Sequence, residues 1–323
     1  MNTLNTSQLY TSPSELQQLF ESYIADCQYS KHLRPQTIKG YREVFSVFQK
    51  LLPNIKEVDD LHPHLMNEFF KRLSTRERIV GRDTIKIGVK PSTIKTYYNK
   101  LIAFFRWLET YGHIEQGILT NHIIKPPAPI YDDEKALSDL EVSKIISSIA
   151  LHCMDNPFMH KRDILIVTLL LYTGIRKGEL LSLRVQDIDF EKRTLFINGK
   201  TSKSKKSRFI PLHFTLITHL KVYLKERQQR KSQCDALIIS SKNDTAFTEY
   251  GLKHWVNKYI KLSGIKFHIH RFRHTFACSL AKENADLMSI MNVMGHSTTQ
   301  MTERYLRSIT SEHSRPFIEK ISF

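Results

Sequence analysis

Three prolines in four residues, at positions 126–129, are the feature that most constrains the fold of this chain. Proline fixes its own backbone angle and lacks an amide hydrogen, so neither a helix nor a central strand can run through such a segment. The 323 residues are also too many for one typical domain. We therefore predict a proline-rich linker at residues 123–133 that joins two domains of different composition.

Before this linker, apolar residues recur at the spacing of one helix face in four separate segments. Helices with such stripes bury them against one another, which predicts a small all-α domain over residues 13–122. Residues 1–12 are polar, and we expect a disordered tail there. The first predicted helix begins at Ser14, and the others cover residues 37–52, 61–73 and 92–111.

After the linker the pattern becomes mixed. A capping-box sequence begins a helix at Ser138, and the apolar residues from Arg162 to Tyr172 predict a buried helix. Three segments of strand composition follow, at residues 185–190, 194–198 and 208–212, and then further helices. The chain is therefore predicted to be mainly α with a small antiparallel sheet. The sheet belongs to an α+β domain at residues 134–310, which a C-terminal tail follows at 311–323.

The charge balance points to a polyanionic partner. The chain has 48 Lys and Arg against 32 Asp and Glu, a formal net charge of +16, and both sides of the linker are basic. Nucleic acid is the leading partner for such a charge, and two basic domains would hold it as a clamp. A membrane is disfavoured because the best apolar run, residues 164–172, spans only nine residues. The first fifteen residues also lack a signal-peptide pattern, so we expect a cytoplasmic, nucleoid-associated protein.

Residues 74–91 interrupt the helical pattern of the first domain. Ile85, Ile87 and Val89 alternate with other residues, and Gly81 offers a turn, which predicts a β-hairpin. Two interpretations of this insertion remain open: a solvated loop, or a basic finger that contacts DNA. Its basic residues are Arg76, Arg78, Arg82, Lys86 and Lys90.

Cysteine and histidine spacing argues against a metal site. The four cysteines are far apart in the sequence, and no C-x-x-C pair exists. His268, His270 and His274 are close together but have no acidic or thiolate partner beside them. The sequence therefore predicts a reduced protein with no metal and no cofactor.

A site for a small anion is predicted near the C-terminal end. His270 and Arg273 are three residues apart, so on a helix they share one face and could address one anion together. The hydroxyl of Tyr305, nine residues after His296, could attack such an anion. Arginine, histidine and tyrosine without a carboxylate pair suggest chemistry on phosphate. Each residue also has a structural alternative: a satisfied helical histidine, an exposed histidine after the C-cap Gly295, and a half-buried tyrosine.

Two further basic features lie upstream. Arg176 follows a Thr-Gly break, where helix amides favour an anion; the alternative is a surface arginine paired with Glu179. Residues 198–208 lie between two predicted strands and carry five basic residues. This loop is either a solvated turn or the source of a movable proton donor. The candidate donors are Lys200, Lys203, Lys205 and Lys206.

In their order along the chain, these segments resemble the four signatures of tyrosine recombinases, the integrase and Xer-type enzymes. The matching segments are TGIRKGELLSL from residue 173, NGKTSKSKKSRFIPL from 198, HIHRFRHTFA from 268 and MGHSTTQMTERY from 294. RPQTIKGYREVF and PSTIKTYYNKLIAFFRWL, in the first half, resemble the SAM-like helical core-binding domain of the family. The insertion at 74–91 departs from compact Xer-type members, and Phe272 stands where leucine is more usual.

The resemblance implies a role for each residue of the site. Tyr305 would attack a DNA phosphodiester and form a 3′-phosphotyrosyl bond, while Lys200 would protonate the departing 5′ oxygen. His270 would take or position the tyrosine proton, and Glu179 would orient Arg176. Arg176, Arg273 and His296 would donate hydrogen bonds to the non-bridging phosphate oxygens. The implied catalytic residues are Arg176, Lys200, His270, Arg273, His296 and Tyr305. The predicted DNA-contact residues are Lys203, Lys205, Lys206, Arg208, Arg76, Arg78, Arg82, Lys86 and Lys90.

The resemblance also implies partners: double-stranded DNA with an inverted-repeat recombination site, a homo-tetramer on two such sites, and accessory excision or cell-division proteins. The tail at 311–323 is expected to dock into a neighbouring protomer. The insertion and the basic loop favour integration or excision of a mobile element, by a reaction that needs neither metal nor ATP. Chromosome dimer resolution of the Xer type stays open, as do a type IB topoisomerase and a non-catalytic DNA-binding protein.

Overall fold

The computed structural model describes residues 13–81, 84–127, 136–199, 206–306 and 319–320, with the backbone alone at 301 and 304–306. The chain forms two compact units, Met1–Ile130 and Tyr131–Phe323, and the division falls within the predicted linker. The described residues are mainly helical, with one small antiparallel sheet in each unit, which confirms the predicted fold class. Outside the described residues lie the predicted tail at 1–12, most of the tail at 311–323, Arg82, Lys200, Lys203 and Lys205.

The first unit contains the four helices that the apolar stripes predicted. Pro35 and Pro91 occupy the first turns of two of them, where the missing amide hydrogen would have no partner within the helix. The third helix starts later than predicted, because residues 62–65 form a turn closed by the Leu65 amide on the carbonyl of His62. The helices are α1 (Glu15–Ala25, continued by a π-helical turn Asp26–Ser30), α2 (Pro35–Leu51), α3 (Leu65–Thr75) and α4 (Pro91–Thr110).

Aromatic side chains fill the core of this unit. The rings of Phe20 and Phe45 stack at a centroid distance of 3.8 Å, and Phe104 meets Phe20 edge-on at 5.2 Å. Phe48 and Phe69 extend the cluster and are fully buried. Each ring removes a large apolar area from water, so four helices of moderate length suffice for a stable core.

The hairpin predicted within residues 74–91 is confirmed. Strand β1 (Glu77–Val80) pairs antiparallel with β2 (Thr84–Ile87), and Gly81 begins the turn with a φ of 76°. Ile79 lies opposite Ile85, and Ile87 shares their face because side chains alternate along a strand. All three isoleucines are largely exposed. The opposite face carries Arg78 and Lys86, so the hairpin has one apolar and one basic face.

One long buried helix organises the second unit. The helices described in this unit are α5 (Asp139–His152), α6 (Pro157–Thr173), α7 (Lys177–Ser182), α8 (Phe214–Gln229), α9 (Glu249–Ser263), α10 (Ile269–Lys282), α11 (Leu287–Met294) and α12 (Thr299–Leu306). Every residue of α6 from Ile164 to Leu170 is buried, as the apolar run predicted. α6 packs against α5, α8 and α10, so it fixes the positions of elements that are distant in sequence.

The small sheet of the second unit consists of β3 (Ile188–Asp189), β4 (Thr194–Ile197) and β5 (Arg208–Pro211), antiparallel in that order. Leu195 of β4 lies opposite Ile210 of β5, and both are buried. The prediction of a strand over residues 185–190 is mostly wrong. Residues 185–187 form a 3-10 turn, because the Asp187 carboxylate accepts the Arg184 amide at 2.8 Å and stabilises the turn locally.

Candidate active site

The candidate site lies where two helices of the second unit end. α6 stops at Gly174 and α11 stops at Gly295, both in the left-handed conformation, with φ of 56° and 61°. Glycine adopts this conformation without strain, so each helix can end abruptly. The last carbonyl groups of a helix have no partner within it and carry the partial negative charge of its C-terminus. These carbonyls hold the arginine side chains of the site.

Arg273, on the second turn of α10, connects the two helix ends. Its guanidinium donates to the carbonyl of Gly174 at 2.6 Å and to the carbonyl of Met294 at 2.5 Å. The side chain is fully buried, with 1% exposure. A buried guanidinium is costly unless its hydrogen atoms find acceptors, and the two helix ends supply them. The fold therefore holds a positive charge at a fixed place.

Arg176 and Arg208 share one buried carboxylate, that of Glu179. Arg176 immediately precedes α7, and it donates from its amide to Oε2 at 2.9 Å and from Nη1 to Oε1 at 3.1 Å. Arg208, the first residue of β5, donates from Nη1 to Oε1 at 3.0 Å and from Nη2 to Oε2 at 2.8 Å. Glu179 is 1% exposed. Two guanidiniums thus bridge one carboxylate from which water is largely excluded.

Both of these arginines also bind the end of α11. Arg176 Nη2 donates to the carbonyl of Gly295 at 2.9 Å, and Arg208 Nε donates to that of Val293 at 2.8 Å. With Arg273, the cluster contains three guanidiniums and one carboxylate, which leaves two net positive charges. Donors that are already oriented by other bonds need little reorganisation to bind an anion. The arginine cluster, defined as Arg176, Arg208, Arg273 and Glu179, is therefore suited to a phosphate group.

His296 lies between the arginine cluster and α12. Arg273 Nη2 lies 2.9 Å from His296 Nε2, and His296 Nδ1 lies 2.8 Å from Thr302 Oγ1. An arginine can only donate, so Nε2 accepts and the ring proton is on Nδ1, from which it donates to Thr302. Burial first, and then the charges of Arg273 and other basic neighbours, lower the pKa of His296 from 6.5 to about 3. The histidine is therefore neutral near pH 7.

His270 lies on the open side of the site. It is in the first turn of α10, one helical turn before Arg273, and its side chain is exposed. It lines a groove of about 430 Å³ together with Lys177, Lys253 and other residues of α9 and α10. A substrate can reach His270 from solvent.

α12 carries Tyr305 and packs against α10 and α11. Thr302, which precedes Tyr305 by three residues in this helix, is fully buried and bonded to His296. Positions three apart share a helix face. The bond between Thr302 and His296 therefore ties the face of α12 that includes position 305 to the arginine cluster. Of the six predicted catalytic residues, four have described side chains in the second unit, while Tyr305 has a described backbone only.

The predicted DNA-contact residues fall into two groups. Lys86, Lys90 and Lys206 are exposed, as a contact to DNA requires, whereas Arg76 and Arg78 are half-buried. Arg78 Nε donates to the carbonyl of Gly88 at 2.7 Å, at the base of the hairpin.

Arg208 was predicted to contact DNA as part of the basic loop at residues 198–208, but its side chain does not face solvent. Its side chain is only 9% exposed, and its guanidinium is turned inward to Glu179 and Val293. The physical reason is that the buried carboxylate of Glu179 is costly unless it is paired and hydrogen-bonded, and the guanidinium of Arg208 supplies two of these bonds.

Sequence reasoning missed Thr302 and the carbonyl acceptors at Gly174 and Gly295. A signal for Thr302 was available, because it is a polar residue one helical turn before Tyr305. The carbonyl acceptors had no comparable signal, since every residue has a carbonyl group and only the glycines hint that a helix ends there.

Within the described residues, no three His, Cys, Asp or Glu side chains are grouped so that they could hold a metal ion. All four cysteines are free thiols. No helix of the described ranges has both the length and the apolar character that crossing a membrane requires.

Comparison with known proteins identifies the family. Residues 140–312 match the phage integrase family. The tyrosine recombinase XerC of Oceanobacillus iheyensis is 27% identical over 318 residues, which cover 94% of this chain and 95% of that protein. Because the family match spans more than half of the chain, the chain belongs to the phage integrase family of tyrosine site-specific recombinases. This result confirms the resemblance carried by the four sequence segments.

Two solved structures share the fold. The Tn1549 transposon integrase in complex with a circular intermediate DNA has a TM-score of 0.73 and 18% identity, covering 94% of this chain and 98% of that one. The XerH site-specific recombinase in its post-cleavage complex with palindromic difH substrate has a TM-score of 0.68 and 20% identity, covering 92% and 82%. At these identities the likeness shows a shared fold.

Proposed function

We propose that this chain cleaves and rejoins double-stranded DNA through a 3′-phosphotyrosyl intermediate, with Tyr305 as the nucleophile. The observation that carries this proposal is the buried arginine cluster, which is tethered through His296 and Thr302 to the helix that holds Tyr305. A phosphodiester is the anion that suits two guanidinium forks and a hydroxyl nucleophile. Site-specific DNA recombination is also the activity of the family to which the chain belongs.

The proposed reaction exchanges one bond to phosphorus for another. The oxygen of Tyr305 bonds to phosphorus, and the bond from phosphorus to the 5′ oxygen breaks. Negative charge grows on the non-bridging oxygens in the transition state, where Arg176 and Arg273 neutralise it. The tyrosine proton passes to His270, and the ammonium group of Lys200 protonates the departing 5′ oxygen. The phosphotyrosyl bond conserves the energy of the broken bond, so a 5′-hydroxyl can reverse the reaction on the same or another strand.

In this proposal His296 has a role that depends on whether DNA is bound. Without DNA, Nε2 accepts from Arg273 and keeps that guanidinium in place. Donation from Nε2 to phosphate, which the resemblance implies, requires this nitrogen to leave Arg273 and gain a proton. Burial and the basic neighbours oppose that proton, as the lowered pKa of about 3 indicates. The extra negative charge on the phosphate oxygens in the transition state would stabilise this proton on His296.

Covalent trapping on DNA tests the proposal. The substrate is a pool of nicked duplexes that cover the DNA on either side of the gene, so that cleavage releases a short fragment and religation is prevented. Wild-type protein should form an adduct that survives denaturation. Tyr305→Phe should bind the same DNA with wild-type affinity and form no adduct, because the attacking oxygen is gone. A denaturation-resistant adduct of this variant would show that another residue is the nucleophile.

We propose that exposed basic residues of each unit contact the phosphates of the duplex. Lys206, beside β5, and Lys86, on the basic face of the hairpin, are exposed and can neutralise phosphates without reading sequence. We also propose a homo-tetramer on two inverted-repeat sites, with the tail at 311–323 docked in a neighbouring protomer. The family resemblance is the support for that assembly, for accessory excision or cell-division proteins, and for a location at the nucleoid.

The biological reaction that we propose is integration or excision of a mobile element. Its support is the insertion that forms the hairpin β1–β2, which is longer than the connection expected in compact Xer-type members and exposes Lys86 and three isoleucines. Chromosome dimer resolution is the alternative, favoured by relatives that bear the name XerC. The fold itself is shared by a transposon integrase and by XerH, so it favours neither.

A further inference from the structure

We infer that Arg208 is a positioning residue of the active site, which acts on Arg176 through the buried carboxylate of Glu179. The inference rests on the proposed function and adds to it a residue that the catalytic set does not include. A positioning role also differs from the contact with DNA that the basic loop at 198–208 suggested for Arg208.

The geometry of Arg208 shows a side chain directed into the protein. Nη1 and Nη2 donate to the two oxygens of Glu179 at 3.0 and 2.8 Å, and Nε donates to the carbonyl of Val293 at 2.8 Å. Two parallel bonds from a planar guanidinium to one carboxylate fix both position and angle. A lysine cannot reproduce this arrangement, because it offers a single charged nitrogen.

The consequence for Arg176 is electrostatic. Arg176 reaches Glu179 with Nη1 and the carbonyl of Gly295 with Nη2, so its fork is spread across two acceptors. Arg208 donates to both oxygens of the same carboxylate and neutralises part of its charge. Without Arg208, the whole charge of the buried Glu179 would act on Arg176 and draw its fork away from Gly295 and from an incoming phosphate. A displacement of about 1 Å at a reacting group can slow catalysis by about 100-fold.

Arg208 also connects the site to the loop that carries Lys200. It is the first residue of β5, and residues 198–207 lead directly into it from β4. Its guanidinium lies against Gly295, where a Cβ would come within 2.9 Å of Nη1 and 3.0 Å of Cζ. Arg208 therefore anchors the C-terminal base of this loop to the same helix end that holds Arg176.

Single-turnover cleavage separates this role from a contact with DNA. The variants are Arg208→Ala, Arg208→Lys, Glu179→Gln and the double variant Arg208→Ala/Glu179→Gln, each assayed on saturating nicked duplex. Arg184→Ala is the matched control, because it removes an arginine that pairs with a carboxylate, that of Asp235 at 2.8 Å, on the exposed surface. DNA affinity is measured in parallel at several salt concentrations, and thermal unfolding shows that each variant is folded.

Arg208→Ala should cleave about 100-fold more slowly than wild type, with an unchanged affinity for DNA and an unchanged salt dependence. Arg208→Lys should recover part of the rate, since it restores the charge without the fork. In the Glu179→Gln background, Arg208→Ala should cause little further loss, because the carboxylate through which it acts is already neutral. Arg184→Ala should cleave at the wild-type rate.

Three results would overturn the inference. One is wild-type cleavage by Arg208→Ala, or by Arg208→Lys if the alanine variant does not fold. Another is a full additional loss in the Glu179→Gln background. The third is an Arg208→Ala variant whose DNA affinity depends less steeply on salt, by the amount expected for about one lost phosphate contact, because this would identify Arg208 as a direct DNA contact. Failure of the proposed function itself would look different, because wild-type protein would then form no adduct or Tyr305→Phe would form one.

Discussion

Acidification is expected to destabilise the second unit through His296. Burial and the neighbouring guanidiniums lower the pKa of this residue from 6.5 to about 3 in the folded chain. In the unfolded chain the ring recovers its ordinary pKa, so between these two values the unfolded state binds a proton that the folded state rejects. Stability that is complete above the unfolded pKa is therefore lost progressively as the pH falls toward the folded pKa.

The size of the loss follows from these two pKa values. Between about pH 7.5 and about pH 5, proton uptake by the unfolded state alone removes about 2 kcal/mol of the free energy of unfolding. Urea unfolding at both pH values measures this quantity. A Trp107→Phe background leaves Trp255, which is buried in the second unit, as the single tryptophan of the chain and thus as the reporter.

His296→Gln assigns the loss to this residue. Its amide keeps one acceptor and one donor but takes up no proton, so wild type should lose about 2 kcal/mol more than this variant on acidification. His254→Gln, which removes an exposed histidine of the same unit, is the control and should keep the steep wild-type dependence. Parallel pH profiles for wild type and His296→Gln would refute the argument from burial.

Two other expectations concern the helix end at α11 and the biological reaction. In Gly295→Ala the alanine must adopt a φ of 61°, and its Cβ would lie only 2.9 Å from Nη1 of Arg208. The free energy of unfolding should therefore fall by about 1–3 kcal/mol, and the rate of DNA cleavage should fall because Arg208 is displaced. Gly264→Ala has a φ of 73° but no atom within 4 Å of its Cβ, and it should leave cleavage unchanged; equal cleavage losses would argue against displacement of Arg208. If the protein excises a mobile element, expressing it in cells that carry the gene with its flanking DNA should produce a circular DNA in which the two ends of the element are joined. Amplification across this junction detects the circle. If deletion of the gene makes the cells filamentous, and a second deletion that abolishes homologous recombination restores normal cell length, the protein acts in chromosome dimer resolution instead.

The helices could be predicted from the sequence because their signals are local. The apolar run at Ile164–Leu170, in which Thr168 is the one polar residue, has no alternative to burial, and α6 forms there. The alternation after Gly81 likewise yields the hairpin. The prediction of a strand over residues 185–190 was mostly wrong for an equally local reason. The carboxylate of Asp187 accepts a hydrogen bond from the Arg184 amide, and this bond stabilises a turn where a strand was expected.

The residue types of the candidate site could be taken from the sequence alone, where arginine, histidine and tyrosine in this order suggest chemistry on phosphate and resemble the family signatures. Only the tertiary structure decided what each side chain binds. Arg273 finds a carbonyl 99 residues away in the chain, and Arg208 finds Glu179 across 29 residues. Carbonyl groups are identical in every residue, and the direction of a charged side chain depends on the packed elements around it. No local pattern records such partners, so they become fixed only when the ends of α6 and α11 meet on α10.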